Sequence, residues 1–154
     1  MSFAFLHASA DQAPIDIPAI GLSLRVPLPP TSSDGSVTAI ETVNAPGFGP
    51  PLHRHRETEI FRVLEGRYLY ECDGHRFEAV AGDVVTIPGG SAHGFVNIGE
   101  APARQFILIL PGLDAVGFFT GLAEVMRHGM ADRAALAGFG EKWGVEFLGP
   151  PLRP

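Results

Sequence analysis

The most informative residue pattern in the chain is GPPLHRHRETEIFRVLEG, residues 49–66. Two histidines, His53 and His55, lie two positions apart just after a pair of prolines. On a helix, residues two apart point about 200° away from each other and cannot bind one ion, and the prolines oppose a helix here. On a strand, positions i and i+2 share a face. The stretch therefore predicts a strand that presents both imidazoles to the same side.

Two glutamates follow the histidines and compete for a place beside them. In a straight strand Glu59 would lie about 13 Å from His55, whereas donors to one ion lie about 3 Å apart. The chain must therefore turn around residues 56–58 and return as a strand if Glu59 is to join the histidines. Glu57 would then lie in the turn, and it remains the main rival to Glu59 as a ligand.

A third histidine occurs in GDVVTIPGGSAHGFVN, residues 82–97. A strand is expected to end at Pro88, a glycine turn follows, and His93 begins another strand. In an antiparallel barrel this histidine could face the first donors across the interior.

On both sides of these two motifs, residues 21–111 alternate short β-like runs with turn signals. The runs are LSLRV, VTAIETV, EIFRVLE, RYLYEC, HRFEAV, DVVTIP, HGFVNI and RQFILIL. Signals repeated every eight to twelve residues or so are typical of a sandwich or barrel. Residues 1–19 contain two prolines and are expected to be irregular.

The pattern changes after Pro111. Apolar residues recur at helical spacing between Asp114, a predicted N-cap, and Gly129, a predicted C′ residue. A weaker helix is expected over residues 131–144, followed by a strand-like tail. The sequence thus predicts a mainly β protein with one domain over residues 1–154. Its barrel core spans about 21–111 and its C-terminal helical extension about 112–154.

Composition excludes several classes of function. The net charge is −6, with 11 scattered cationic residues, so nucleic acid is not an expected partner. The single cysteine, Cys72, excludes an intrachain disulfide. The longest apolar run, residues 106–110, is far shorter than the roughly 20 residues that span a bilayer. The first residues lack the basic and apolar regions of a secretion signal, so a cytoplasmic location and no membrane partner are expected.

These residues carry a family resemblance. Gly47, His53, His55, Glu59 and Gly66 match the first motif of the cupins, and the second motif matches at Gly82, Pro88, Gly90, His93 and Asn97. The sequence therefore resembles a single-domain cupin, and is similar to the quercetin-dioxygenase-like group of small bacterial members. The resemblance implies a double-stranded β-helix, or jelly-roll, barrel.

The resemblance also implies roles for particular residues. His53, His55, Glu59 and His93 would bind one divalent transition metal, which could be Fe, Mn, Ni, Cu, Co or Zn. Glu59 could also act as a transient catalytic base. Asn97 and the glycines would be structural.

Strand parity adds two candidates for the wall of the cavity. Phe61 shares parity with Glu59, and Phe95 shares parity with His93. Both residues are therefore predicted to line the space around the metal.

The function implied by the resemblance is that of a dioxygenase-type oxidoreductase acting on a small molecule with an enol or phenol group. Two alternatives stay open: a non-oxidative metal-dependent isomerase, decarboxylase or lyase, and a barrel that only binds a small molecule. Cupins commonly pair through a sheet edge, and residues 1–25 are rich in apolar positions. A homodimer is therefore expected.

Overall fold

Within residues 2–154, which the computed structural model describes, eleven strands form two antiparallel sheets, and two helices follow in the C-terminal part. The first strands are β1 (Ile15–Ile17), β2 (Leu22–Leu28), β3 (Thr38–Asn44), β4 (Pro51–His55) and β5 (Thr58–Glu65). Then come β6 (Arg67–Cys72), β7 (His75–Val80), β8 (Val84–Ile87), β9 (His93–Asn97) and β10 (Ala103–Leu110). The helices α1 (Ala115–Val125) and α2 (Arg133–Trp143) precede β11 (Val145–Pro151).

One sheet has six strands in the order β1-β2-β3-β10-β5-β8, and the other has five in the order β11-β4-β9-β6-β7. The eight β-like runs named above form β2, β3 and β5 to β10. The prediction of a mainly β jelly-roll fold with C-terminal helices is therefore confirmed.

The two ends of the chain add strands outside the expected barrel core. The expectation that residues 1–19 are irregular is wrong at β1, where Ile15 pairs with Leu24 and the side chain of Ile17 is buried. The flanking prolines stand just outside this short edge strand, where they interrupt no ladder. At the other end, β11 pairs with β4, the strand that carries two of the histidines.

Side-chain caps begin both helices. The Asp114 carboxylate accepts a hydrogen bond from the Gly117 amide at 3.0 Å, and Asp132 accepts one from Ala135 at 2.8 Å. Helix α1 ends at Val125 rather than next to Gly129, because the chain makes one more hydrogen-bonded turn before that glycine. Both helices pack their apolar sides on a second core cluster. Within residues 2–154, neither helix has the length and apolar character needed to cross a bilayer.

The strand register determines which side chains lie in the same row between the two sheets. On β10, Ile109 pairs with Glu59, and Gln105 pairs with Val63 on the same strand β5. Directly paired residues point to the same face, so successive rows of side chains enter the interior along the strands. The row of Glu59 lies at one end, and the row of Gln105 lies two inward-facing positions further along.

Candidate metal centre

Four side chains meet at one end of the interior. His53 and His55 project from β4, Glu59 from β5 and His93 from β9. One donor atom from each of the four lies within 4.8 Å of every other. The alternation of β4 places both of its histidines on one face, as the His-x-His spacing predicts.

The sheets contribute unequally to this cluster. His93 pairs directly with His53 in the five-stranded sheet, so it lies beside the first two histidines. The expectation that His93 faces the other donors across the interior is wrong. Glu59 takes that position, because the bend after His55 carries the chain into the opposite six-stranded sheet.

Backbone carbonyls orient two of the imidazoles. The Nδ1 atom of His53 lies 2.7 Å from the carbonyl oxygen of Pro51, and Nδ1 of His93 lies 2.9 Å from that of Ser91. A carbonyl oxygen only accepts, so each ring carries hydrogen on Nδ1 and turns Nε2 toward the cluster. Such carbonyl partners fix the tautomer and orientation of metal-binding histidines.

The donor set fits a divalent transition metal. With metal–ligand bonds of about 2.1 Å, two donors on opposite sides of an ion lie about 4.2 Å apart. The donor atoms of the cluster lie at most 4.8 Å apart, and shifts of a few tenths of an ångström in each side chain would bring them to this distance. His93 Nε2 and Glu59 Oε2 already lie 3.0 Å apart, as neighbouring ligands do. Three nitrogen donors and one carboxylate suit Fe, Mn, Co, Ni, Cu and Zn.

Glu57 lies outside the cluster but contacts one of its members. Its Oε2 atom is 3.4 Å from Nδ1 of His55, on the side of the ring away from Glu59. Within the described residues, this Nδ1 is buried and makes no hydrogen bond of good geometry. Glu57 is therefore placed to orient His55 from behind. The sequence suggested Glu57 only as a rival ligand and gave no sign of this second role.

Burial and mutual charge set the protonation of the cluster. Burial, together with the charges of His93 and His55, lowers the pKa of His53 from 6.5 to about 3. Burial alone would raise the pKa of Glu59, but hydrogen bonds from His55 and His93 outweigh it and lower that pKa. Burial likewise opposes a charged His55, yet the adjacent Glu59 and Glu57 carboxylates raise the pKa of His55. Glu59 is therefore ionised at neutral pH, and His53 is a neutral donor.

The metal-free protein should lose stability as the pH falls from 7 to 5. Below pH 6.5 the unfolded chain protonates His53 while the folded chain does not until about pH 3, so acid favours unfolding. The raised pKa of His55 works in the opposite direction, because its contribution is present below 6.5 and is lost as pH rises. The free energy of unfolding, measured with urea at pH 7 and pH 5, should fall by up to about 2 kcal/mol more in wild type than in His53→Gln. Equal losses in the two proteins would contradict the assignment of a buried neutral imidazole.

A cavity opens from the cluster into the space between the sheets. The cavity has a volume of about 110 Å³. Phe61 and Phe95 both line it, as do residues of the C-terminal helices that the sequence did not mark as cavity wall. The apolar lining also includes Ile20, Leu22, Ile40, Ile107, Ile109, Leu113, Phe118, Phe119, Leu122, Trp143, Val145 and Phe147.

Jelly-roll topology and the three-histidine, one-glutamate cluster together define the cupin class. A family model described as Cupin domain matches residues 40–109, which include all four cluster residues. The chain therefore contains a cupin domain over residues 40–109, and solved cupin structures share its fold. An uncharacterized protein of Methanocaldococcus jannaschii is 41% identical over 54 residues, which are 34% of this chain and 43% of that protein. The match thus covers less than half the length of this curated relative.

Solved structures share the fold at low sequence identity. An RmlC-like cupin from Shewanella frigidimarina is 20% identical with a TM-score of 0.64, covering 75% of this chain and 99% of that one. A Cupin 2 conserved barrel domain protein from Salinispora arenicola is 24% identical with a TM-score of 0.58, covering 90% and 98%. These similarities establish the architecture.

Proposed function

We propose that the protein is a metal-dependent oxygenase of the quercetin-dioxygenase-like kind, acting on a small, uncharged enol or phenol. The observation that carries the proposal is the donor cluster at the head of an apolar cavity. The charged and titratable groups in the lining are histidines and carboxylates. The carboxylates would repel an anionic substrate everywhere except at the metal itself. An enol or phenol needs only one metal-binding oxygen and an apolar wall for the rest of the molecule.

Bound at the four donors, a redox-active divalent metal would supply an open position for the substrate oxygen and one-electron chemistry toward dioxygen. The protein supplies the remaining functions. The carbonyls of Pro51 and Ser91 hold two imidazoles in place, and aromatic walls exclude water. In this proposal Glu59, whose Oε2 lies 3.0 Å from His93 Nε2, takes the proton of the enol or phenol as the substrate enters.

Oxygen consumption tests this proposal. Protein stripped of metal and reloaded in turn with Fe, Mn, Co, Ni, Cu or Zn is mixed anaerobically with a panel of uncharged enols and phenols, and oxygen is then added. The proposal expects stoichiometric oxygen uptake with at least one redox-active metal and none with Zn. Turnover without oxygen would favour the non-oxidative isomerase, decarboxylase or lyase instead. Binding without any product would favour a barrel that only holds a ligand.

We also propose a homodimer formed through the N-terminal segment. Phe3, Phe5 and Leu6 are 59%, 97% and 44% exposed, and they precede β1, which is an edge strand of the six-stranded sheet. Apolar side chains in this position could cover the edge of a second copy. Sedimentation at micromolar concentration should give twice the chain mass for wild type and a lighter species for Phe3→Ser/Phe5→Ser. A wild-type monomer would contradict the proposal.

A further inference from the structure

The interior cavity is small for a substrate site. Its volume is about 110 Å³, whereas a protein cavity of about 150 Å³ holds a single benzene molecule. Three of the four donor residues, His53, His55 and Glu59, line this space, and the rest of its wall is mostly apolar. A molecule whose oxygen reaches the metal therefore has room for only a few carbon atoms beyond that oxygen.

Strand β11 supplies the wall beside two of the donors. In its pairing with β4, Phe147 is opposite His53 and Val145 is opposite His55. Directly paired residues point to the same face of a sheet, so both apolar side chains lie on the donors' side. The centroid of the Phe147 ring is 6.4 Å from that of the His53 ring. A substrate bound to the metal beside His53 therefore meets the ring of Phe147.

Phe147 also separates the cavity from a second space. It lines both the interior cavity and a surface cleft whose wall includes the exposed residues Arg54 of β4 and Glu141 of α2. Helix α2 approaches the ring closely at Gly140, where an added Cβ would lie 3.2 Å from Cδ2 of Phe147. The ring is therefore backed by α2 and forms a partition between the cavity and the surface cleft.

We propose that Phe147 limits the substrate to a small enol or phenol no larger than one six-membered ring. This inference rests on the proposed function for the metal-bound oxygen, and it adds the size of the substrate and the residue that sets it. A second ring attached beside the metal-binding group would have to occupy the space that the Phe147 ring fills. Short 1,3-diketones, which bind metals through their enol form, and single-ring phenols fit the cavity, whereas multi-ring phenols do not.

Two matched 1,3-diketones test the size limit. The probes are pentane-2,4-dione and 1-phenylbutane-1,3-dione, in which a phenyl ring replaces one methyl group. Binding to Zn-loaded protein is measured by calorimetry without oxygen, and elemental analysis after each titration checks that the diketone has not removed the zinc. We expect wild type to bind the smaller diketone at least about tenfold more tightly, because excess bulk in a close-fitting apolar pocket is rejected to this extent.

Phe147→Ala should abolish this preference, because the phenyl ring of the larger probe then enters the space that the side chain has left. Phe147→Leu is a milder second variant that keeps an apolar side chain, and it should reduce the preference in part. Leu64→Ala, at a position 40% exposed on β5, is the matched control and should retain the preference in full.

The remaining outcomes distinguish the size limit from the proposed function. Equal affinities of wild type for the two diketones would overturn the size limit and leave the metal-binding end intact. A preference that survives both substitutions of Phe147 would likewise overturn the role of that residue. If neither diketone binds the Zn-loaded wild type, the proposed function is itself wrong, and the size limit with it.

Discussion

Glu59→Ala is expected to lower metal affinity by more than about 100-fold, a loss beyond that usually seen when an outer partner of a ligand is removed. Glu59 is the only carboxylate in the four-residue cluster and the only member contributed by the six-stranded sheet. Without it, three neutral imidazoles face the ion from one sheet. No anionic ligand then offsets the metal's charge. His53→Ala should have a comparable effect, because it removes a donor whose tautomer is already fixed by Pro51.

Glu57→Ala is the informative comparison, since both glutamates lie near His55. It removes a partner of His55 Nδ1 without removing a ligand, so we expect a loss of about tenfold. Metal affinity is measured by competition with a chelator of known strength, and metal content by elemental analysis. His75→Ala, at an exposed histidine on β7, serves as the control. A Glu57 variant that loses more affinity than the Glu59 variant would reverse the assignment of ligand and outer partner.

Local spacing explains why much of the site was predictable from the sequence. His53 and His55 share a face because strand geometry alternates with a period of two, and this holds for any strand containing His-x-His. The same parity placed Phe61 and Phe95 toward the interior, where both line the cavity. Periodicity of this kind requires no knowledge of which strands become neighbours.

Contacts that depend on which strands pair were harder to predict from the sequence. The position of His93 beside His53, rather than opposite it, depends on β4 and β9 joining the same sheet. The approach of Glu57 to His55 depends on how the chain bends between the sheets. None of these pairings is encoded in a short motif.

The short strand β1 was missed for a different reason. Three residues are too few to show a clear alternation, and Pro14 and Pro18 on either side suggested irregular structure. The strand forms because Ile17 is buried against the helices' core cluster, a tertiary contact between distant parts of the chain. Packing of this kind overrides weak local preference.

Phe61→Ala is expected to reduce the free energy of unfolding by roughly 3–5 kcal/mol, the usual cost of removing a buried phenylalanine. Only 1% of Phe61 is exposed, and its ring meets those of Tyr70 and Phe95 edge-on at centroid distances of 5.5 and 5.7 Å. Phe61 also lines the cavity, so removal of its ring enlarges a void that is already present. We do not expect neighbouring side chains to move in and fill it. Urea unfolding measures the loss.

Phe48→Ala is the matched control, because 42% of that side chain is exposed and its truncation should cost less than about 1.5 kcal/mol. Metal affinity of the Phe61 variant should stay within about threefold of wild type, because the ring lies beside the donors without belonging to the cluster. This pair of measurements separates a packing role of Phe61 from a part in metal binding. A large stability loss with unchanged metal affinity identifies Phe61 as a core residue that the metal centre does not require. A loss no greater than that of Phe48→Ala would mean that the ring does not hold the two sheets together.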